Sequence, residues 1–133
     1  MESSQEKTGV MFCGHGSRDA GAVREFLAVA DRLAARMPHY DFDRGFLEFA
    51  QPIIRDGLDG LRARGNRRVL AIPGMLMAAG HAKNDIPSVL NTYQAQNDGI
   101  EIRYGRDLGI DPKLLMAAGD RVEQAVASAD AAN

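Results

Sequence analysis

Short apolar runs alternate along the chain with longer stretches in which apolar residues return every third or fourth position. That order predicts strands separated by helices, the pattern of a parallel sheet with helices packed on it, so the expected class is α/β. Gly9 to Cys13 reads as the first strand. A turn of Gly14, His15, Gly16 and Ser17 follows, and a helix opens near Asp19 and ends before Pro38. Val23, Phe26, Leu27, Ala30, Leu33, Ala34 and Met37 form its apolar stripe.

The second strand is expected within Phe42 to Phe49. Pro52 should take the first position of the next helix, which turns Ile53, Ile54, Leu58 and Leu61 inward and stops at Gly65. Arg68 to Ile72 is apolar after its first residue, as a strand covered on both faces should be. A loop rich in Gly, Met and Ala runs from Pro73 to Gly80, and a helix beginning near Asp85 or Pro87 turns Val89, Leu90 and Tyr93 inward. Ile100 to Tyr104 is the fourth strand. Asp111 caps a last helix that starts at Pro112 and carries Leu114, Leu115, Ala118, Val122 and Val126. Residues 1–8 are expected to be a flexible N-terminal segment, 9–127 one folded lobe, and 128–133 a small polar tail that frays.

Composition narrows the choice of function. With 133 residues the chain can bury one real core. Sixteen basic and eighteen acidic residues give a formal net charge of -2, so no global field draws in nucleic acid or an anionic membrane. An anionic substrate must be met by local groups. No run approaches the roughly 20 apolar residues of a membrane span, and the polar start lacks the order of a signal peptide. These features place the chain in the cytoplasm, with neither nucleic acid nor membrane as partner. The single cysteine, Cys13, sits inside an apolar run and reads as a buried structural thiol, which excludes any site built from several thiolates.

In an open parallel sheet ligands bind beyond the carboxyl ends of the strands. His15 follows strand one, Glu48 lies near the end of strand two, and His81 follows strand three. Successive members of this trio are 33 positions apart, one strand-helix-strand step each. Singly, each also suits a turn or a solvated strand end; it is their convergence on one edge that makes a site. Two imidazoles and a carboxylate suit a borderline divalent ion such as cobalt, nickel, iron or zinc and leave coordination positions open. His39, after Pro38, falls at the opposite edge and is set aside. The turn Gly14 to Ser17 leads into a helix N-terminus able to hold phosphate or carboxylate, but it has neither the P-loop lysine nor the full dinucleotide fingerprint. Arg18, Lys83 and Asn84 are polar groups at helix entrances that can meet carboxylates. Gly74 to Gly80, apolar with little bulk at its end, could form one wall for a flat hydrophobic ring.

The segments GHGSRD (14–19), FLEFAQP (46–52), GHAKNDIP (80–87) and GRDLGIDPKLL (105–115) stand in this order. In them the chain, from about Gly9 to Ala125, resembles the CbiX-type sirohydrochlorin chelatases, the class II chelatases of cobalamin and sirohaem synthesis. The resemblance implies a chelatase-like (flavodoxin-like) three-layer domain with a four-stranded parallel sheet. It implies His15 and His81 as the metal-handling pair with Glu48 assisting; with chelatase activity, Ser17, Arg18, Gly80, Lys83 and Asn84 are the expected substrate-binding residues. The implied activity is insertion of cobalt(II) into sirohydrochlorin or a related tetrapyrrole, with iron(II) or nickel(II) as alternatives and a non-catalytic tetrapyrrole or metal carrier as a third. The metal is then substrate, and no cofactor is permanently bound. Longer family members join two such lobes around a cleft, so a single lobe implies a homodimer, or a partner lobe on another polypeptide. Many relatives carry a bulky apolar residue after the proline of strand three, where this chain has Gly74 and Met75.

Overall fold

The computed structural model describes residues 7–74, 82–105 and 112–132. Four strands, β1 (Thr8–Gly14), β2 (Asp41–Phe46), β3 (Arg68–Pro73) and β4 (Glu101–Tyr104), alternate with four helices, α1 (Ala20–Arg36), α2 (Ile54–Ala63), α3 (Ala82–Gln96) and α4 (Pro112–Ala132). The strands form one sheet in the order β2-β1-β3-β4, and every neighbouring pair is parallel. This is the α/β class expected, with the chain reversing its direction of travel across the sheet beside β1.

The two faces of the sheet differ in how well they are covered. Met11 and Cys13 of β1 and Val69 and Ala71 of β3 turn to one side, where they meet Ile54, Leu58 and Leu61 of α2 and Ile86, Leu90 and Tyr93 of α3 in one buried cluster. On the other side α1 lies over the β1 and β2 half: the Phe12 and Phe26 rings stack with centroids 4.6 Å apart, and Phe26 meets Phe46 at 4.7 Å. Asp19 opens α1 by accepting a hydrogen bond from the Gly21 N–H at 3.0 Å, as a cap should.

Several expectations are corrected. β3 was expected to be covered on both faces, yet Leu70 is 39 % exposed while Val69 and Ala71 are buried. The reason lies in the register: Leu70 stands beside Arg103, and Arg68 beside Glu101, so charged side chains share its face and keep it in water. Pro52 does not begin α2. Its carbonyl accepts from the Phe46 N–H at 2.8 Å and Ile53 bridges to Phe46, so the chain stays extended until Ile54. α3 begins a turn earlier than expected, at Ala82, and so contains Pro87, which lacks the N–H for one helical bond and crowds the carbonyl a turn before it. α4 runs on to Ala132, so residues 128–132 are assigned to the helix, in keeping with their alanine content. Its apolar row is not buried: Leu115, Val122 and Val126 are each more than half exposed. Asp111 lies outside the described residues. Among the described residues no helix is long and apolar enough to cross a membrane.

Two features of the core are open to measurement. Cys13 is fully buried, and burial pushes its thiol up to about 12. It should resist a water-soluble thiol reagent in the native state and react stoichiometrically in denaturant, followed by absorbance; fast native labelling would contradict the packing. Gly57 sits where α2 crosses β2, and a Cβ there would come within 2.6 Å of the Arg44 carbonyl oxygen. Glycine to alanine in a helix ordinarily stabilises by about 1 kcal/mol. Here Gly57→Ala should instead destabilise by roughly 1–3 kcal/mol, read as a lower urea midpoint at unchanged slope.

Candidate metal-handling site

The carboxyl ends of β1 and β2 are tied together beyond the sheet. Leu47 N–H donates to the Gly14 carbonyl at 2.8 Å and Glu48 N–H to the His15 carbonyl at 3.1 Å, so the two loops run on as a continuation of the ladder. Gly16, at φ 100°, is what permits it: a Cβ at this position would overlap the Glu48 carbonyl oxygen. The two loops meet backbone to backbone, and their side chains are carried into one place.

His15 Nε2 stands 3.9 Å from Glu48 Oε1, with the two side chains 40 % and 50 % exposed. That separation is too long for a direct hydrogen bond. Two ligands about 2.0–2.2 Å from one tetrahedral metal lie roughly 3.4 Å apart, so the pair is near, though not at, the spacing of a shared ion. Both groups are open to solvent, so an ion held here can be approached and released. Among the described residues no group of three or more His, Cys, Asp or Glu gathers around a metal position.

The remaining expected residues divide by location. Ser17 Oγ accepts from the Asp19 N–H at 3.0 Å, which commits its hydroxyl to shaping the entrance of α1. Arg18 lays its guanidinium over the Phe49 ring, 4.6 Å from the centroid. Asn84 is exposed on the first turn of α3. Lys83 belongs to the same turn, with its side chain outside the described set. Gly80 and His81 lie outside the described residues, as does the stretch 75–79 of the loop expected to wall the ring; the described chain resumes at Ala82, directly after His81. Phe49 was not singled out from the sequence. It takes φ 68° and is 51 % exposed, at the tip of the loop that carries Glu48.

The family model described as CbiX matches residues 9–125. This chain belongs to the CbiX family. Among CbiX relatives, it is 34 % identical over 122 residues to a protein of Priestia megaterium named sirohydrochlorin cobaltochelatase, covering 86 % of this chain and 37 % of the relative. A protein of Methanosarcina barkeri with the same name is 25 % identical over 128 residues, covering 91 % of this chain and 98 % of the relative. The solved structure of the sirohydrochlorin chelatase SirB from Bacillus subtilis subspecies spizizenii in complex with cobalt superposes with a TM-score of 0.84 at 30 % identity, over 89 % of this chain and 50 % of SirB. The chain thus spans half or less of some relatives and nearly all of others. A CbiX protein of Marinobacter aquaeolei, 23 % identical with a TM-score of 0.82, shares the fold over 99 % of its own length.

The loop junction makes a quantitative prediction. Gly16 and Gly65 both have positive φ, but a Cβ at Gly65 meets nothing within 4 Å. Gly65→Ala should therefore cost only backbone strain, about 1 kcal/mol. Gly16→Ala adds the overlap with Glu48 and should cost about 1–3 kcal/mol more, compared side by side in denaturant titrations. Equal losses would mean that the junction yields easily.

Proposed function

We propose that this protein is a metal chelatase, a lyase acting in the cytoplasm, that inserts cobalt(II) into sirohydrochlorin or a closely related tetrapyrrole in cobalamin biosynthesis. The observation that carries this reading is the approach of His15 Nε2 to within 3.9 Å of Glu48 Oε1 at the carboxyl edge of a CbiX lobe. The relatives from Priestia megaterium and Methanosarcina barkeri, both with the cobaltochelatase name, support the choice of metal.

Insertion must strip water from the ion and remove two pyrrole protons while the planar ring resists both. A neutral imidazole can ligate a borderline divalent ion or accept a proton, so His15 and His81 are assigned to holding the ion and receiving ring protons. Glu48 is assigned to assist His15, orienting it or receiving a proton once the bound ion and ring draw the pair closer than 3.9 Å. The exposure of the pair keeps the ion exchangeable, which suits delivery rather than storage. Arg18, Lys83, Asn84 and the backbone N–H groups of the Gly14 to Ser17 turn are assigned to carboxylates on the rim of the ring.

Iron(II) is the second reading. A Bacillus subtilis relative named sirohydrochlorin ferrochelatase is 29 % identical over 117 residues, covering 88 % of this chain and 45 % of that protein. The same residues serve either ion. A second copy of the chain is the proposed partner, supplying the lobe that the longer relatives carry in one polypeptide; the exposed apolar row of α4 is in keeping with a surface that a partner covers.

An anaerobic absorbance time course with excess sirohydrochlorin and cobalt(II), iron(II) or nickel(II), each against a metal-only control, tests the proposal. Conversion over many turnovers, fastest with cobalt, is expected. His15→Ala and His81→Ala should each lower the rate at least a hundredfold while the far-ultraviolet spectrum stays native, a scale in keeping with the loss of an acid-base group. Normal turnover by both variants would remove the assignment, and conversion that stops at one equivalent would make the protein a carrier.

A further inference from the structure

β2 ends at Phe46, and the chain leaves it in a closed loop before entering α2. The loop is pinned at its base, where Phe46 N–H donates to the Pro52 carbonyl and Phe46 bridges to Ile53. It is pinned again on its flank, where Leu47 and Glu48 bond to Gly14 and His15. At the tip Phe49 adopts φ 68°, a left-handed conformation that glycine takes freely and a bulky aromatic residue rarely takes. Core packing does not explain why an aromatic residue is held there, because the residue is 51 % exposed. Its ring is backed on one side by the Arg18 guanidinium at 4.6 Å.

An unfavourable backbone conformation that exposes an apolar ring next to a reactive pair is the arrangement expected of a contact surface for substrate. The substrate under the proposed function is a flat conjugated macrocycle with carboxylates around its rim. An aromatic face offers such a ring offset stacking and a dry contact. A guanidinium stacked on an aromatic ring keeps its N–H groups free in the ring plane, where they can take a carboxylate two-pronged. Arg18 and Phe49 therefore complement the two parts of this substrate.

We propose that Phe49 is a substrate-binding residue whose exposed ring surface receives the face of the tetrapyrrole, with Arg18 behind it pairing a rim carboxylate. The proposal rests on the chelatase reading of the His15 and Glu48 site, and assigns Phe49 to holding the macrocycle rather than the ion. An ordinary exposed aromatic residue would have no such role, and substitution separates the two. Glycine relieves the backbone and removes the ring; leucine keeps apolar bulk but no flat face; tryptophan keeps the face.

The test is an anaerobic titration of the full chain with metal-free sirohydrochlorin, followed by absorbance, for wild type, Phe49→Gly, Phe49→Leu and Phe49→Trp, with thermal unfolding of each. Both Gly and Leu variants should bind about tenfold more weakly and Trp within about twofold of wild type. Phe49→Gly should melt within a few degrees of wild type, since glycine accommodates the φ value. Cobalt insertion at saturating ring should fall far less than affinity does. Wild-type affinity in both the Gly and Leu variants overturns the proposal while leaving the chelatase reading intact. Failure of the wild-type chain to bind the ring overturns both. If Phe49→Gly unfolds, the comparison of Leu with Trp decides: weakening by Leu alone supports the ring contact, and equal binding overturns it.

Discussion

The candidate site depends on one close approach. Where β1 and β2 leave the sheet, their loops stay in backbone contact only because position 16 carries no side chain. The Glu48 carbonyl occupies the space a Cβ on Gly16 would need. Two backbone hydrogen bonds, Leu47 to Gly14 and Glu48 to His15, hold the contact. The distance between His15 and Glu48 follows from that junction rather than from any direct bond between the two side chains, which at 3.9 Å do not share a proton. A preorganised pair of this kind is available to an incoming ion without first losing a bond of its own.

The same sheet is well sealed on one face and half sealed on the other. α2 and α3 close over Met11, Cys13, Val69 and Ala71, and this side carries the greater part of the buried cluster. The opposite face is covered by α1 only toward β2, where Phe12, Phe26 and Phe46 pack ring on ring. Toward β4 it carries Leu70 among Arg68, Glu101 and Arg103. β1, which leads to His15, is therefore buried along nearly its whole length, while β2 is buried only at Gly45 and Phe46, where it turns toward Glu48.

Much of the fold could be read from the spacing of apolar residues, because strands and helices impose different periods. Asp19 capping α1 and Pro112 opening α4 were legible for the same local reason: their signals lie within a turn of the element they mark. The start of α2 was not, since Pro52 is held extended by Phe46 six positions earlier, a contact outside any local rule. The stripe of α4 was visible in the pattern, but a stripe states only that something apolar is wanted, not what covers it. The convergence of His15 and Glu48 was legible because parallel topology brings successive strand ends to one edge. Phe49 was not, because its positive φ arises from a loop closed by tertiary hydrogen bonds, and in sequence it is one more apolar residue after a strand.

On the proposed function, the ligand chemistry also bears on metal choice. Imidazole and carboxylate ligands bind iron(II), cobalt(II) and nickel(II) with affinity rising in that order, so a site of this kind cannot prefer cobalt over nickel by strength alone. A site that held its ion tightly would compound the difficulty, favouring the strongest binder and releasing it least. His15 and Glu48, both partly open to water, are suited to weak and exchangeable binding. Selection then passes to the step in which the ion leaves the protein for the ring, and to which ions are available. In that arrangement the features that grip the macrocycle and bend it toward the metal govern turnover more strongly than those that grip the metal, which makes the surroundings of the pair as consequential as the pair itself.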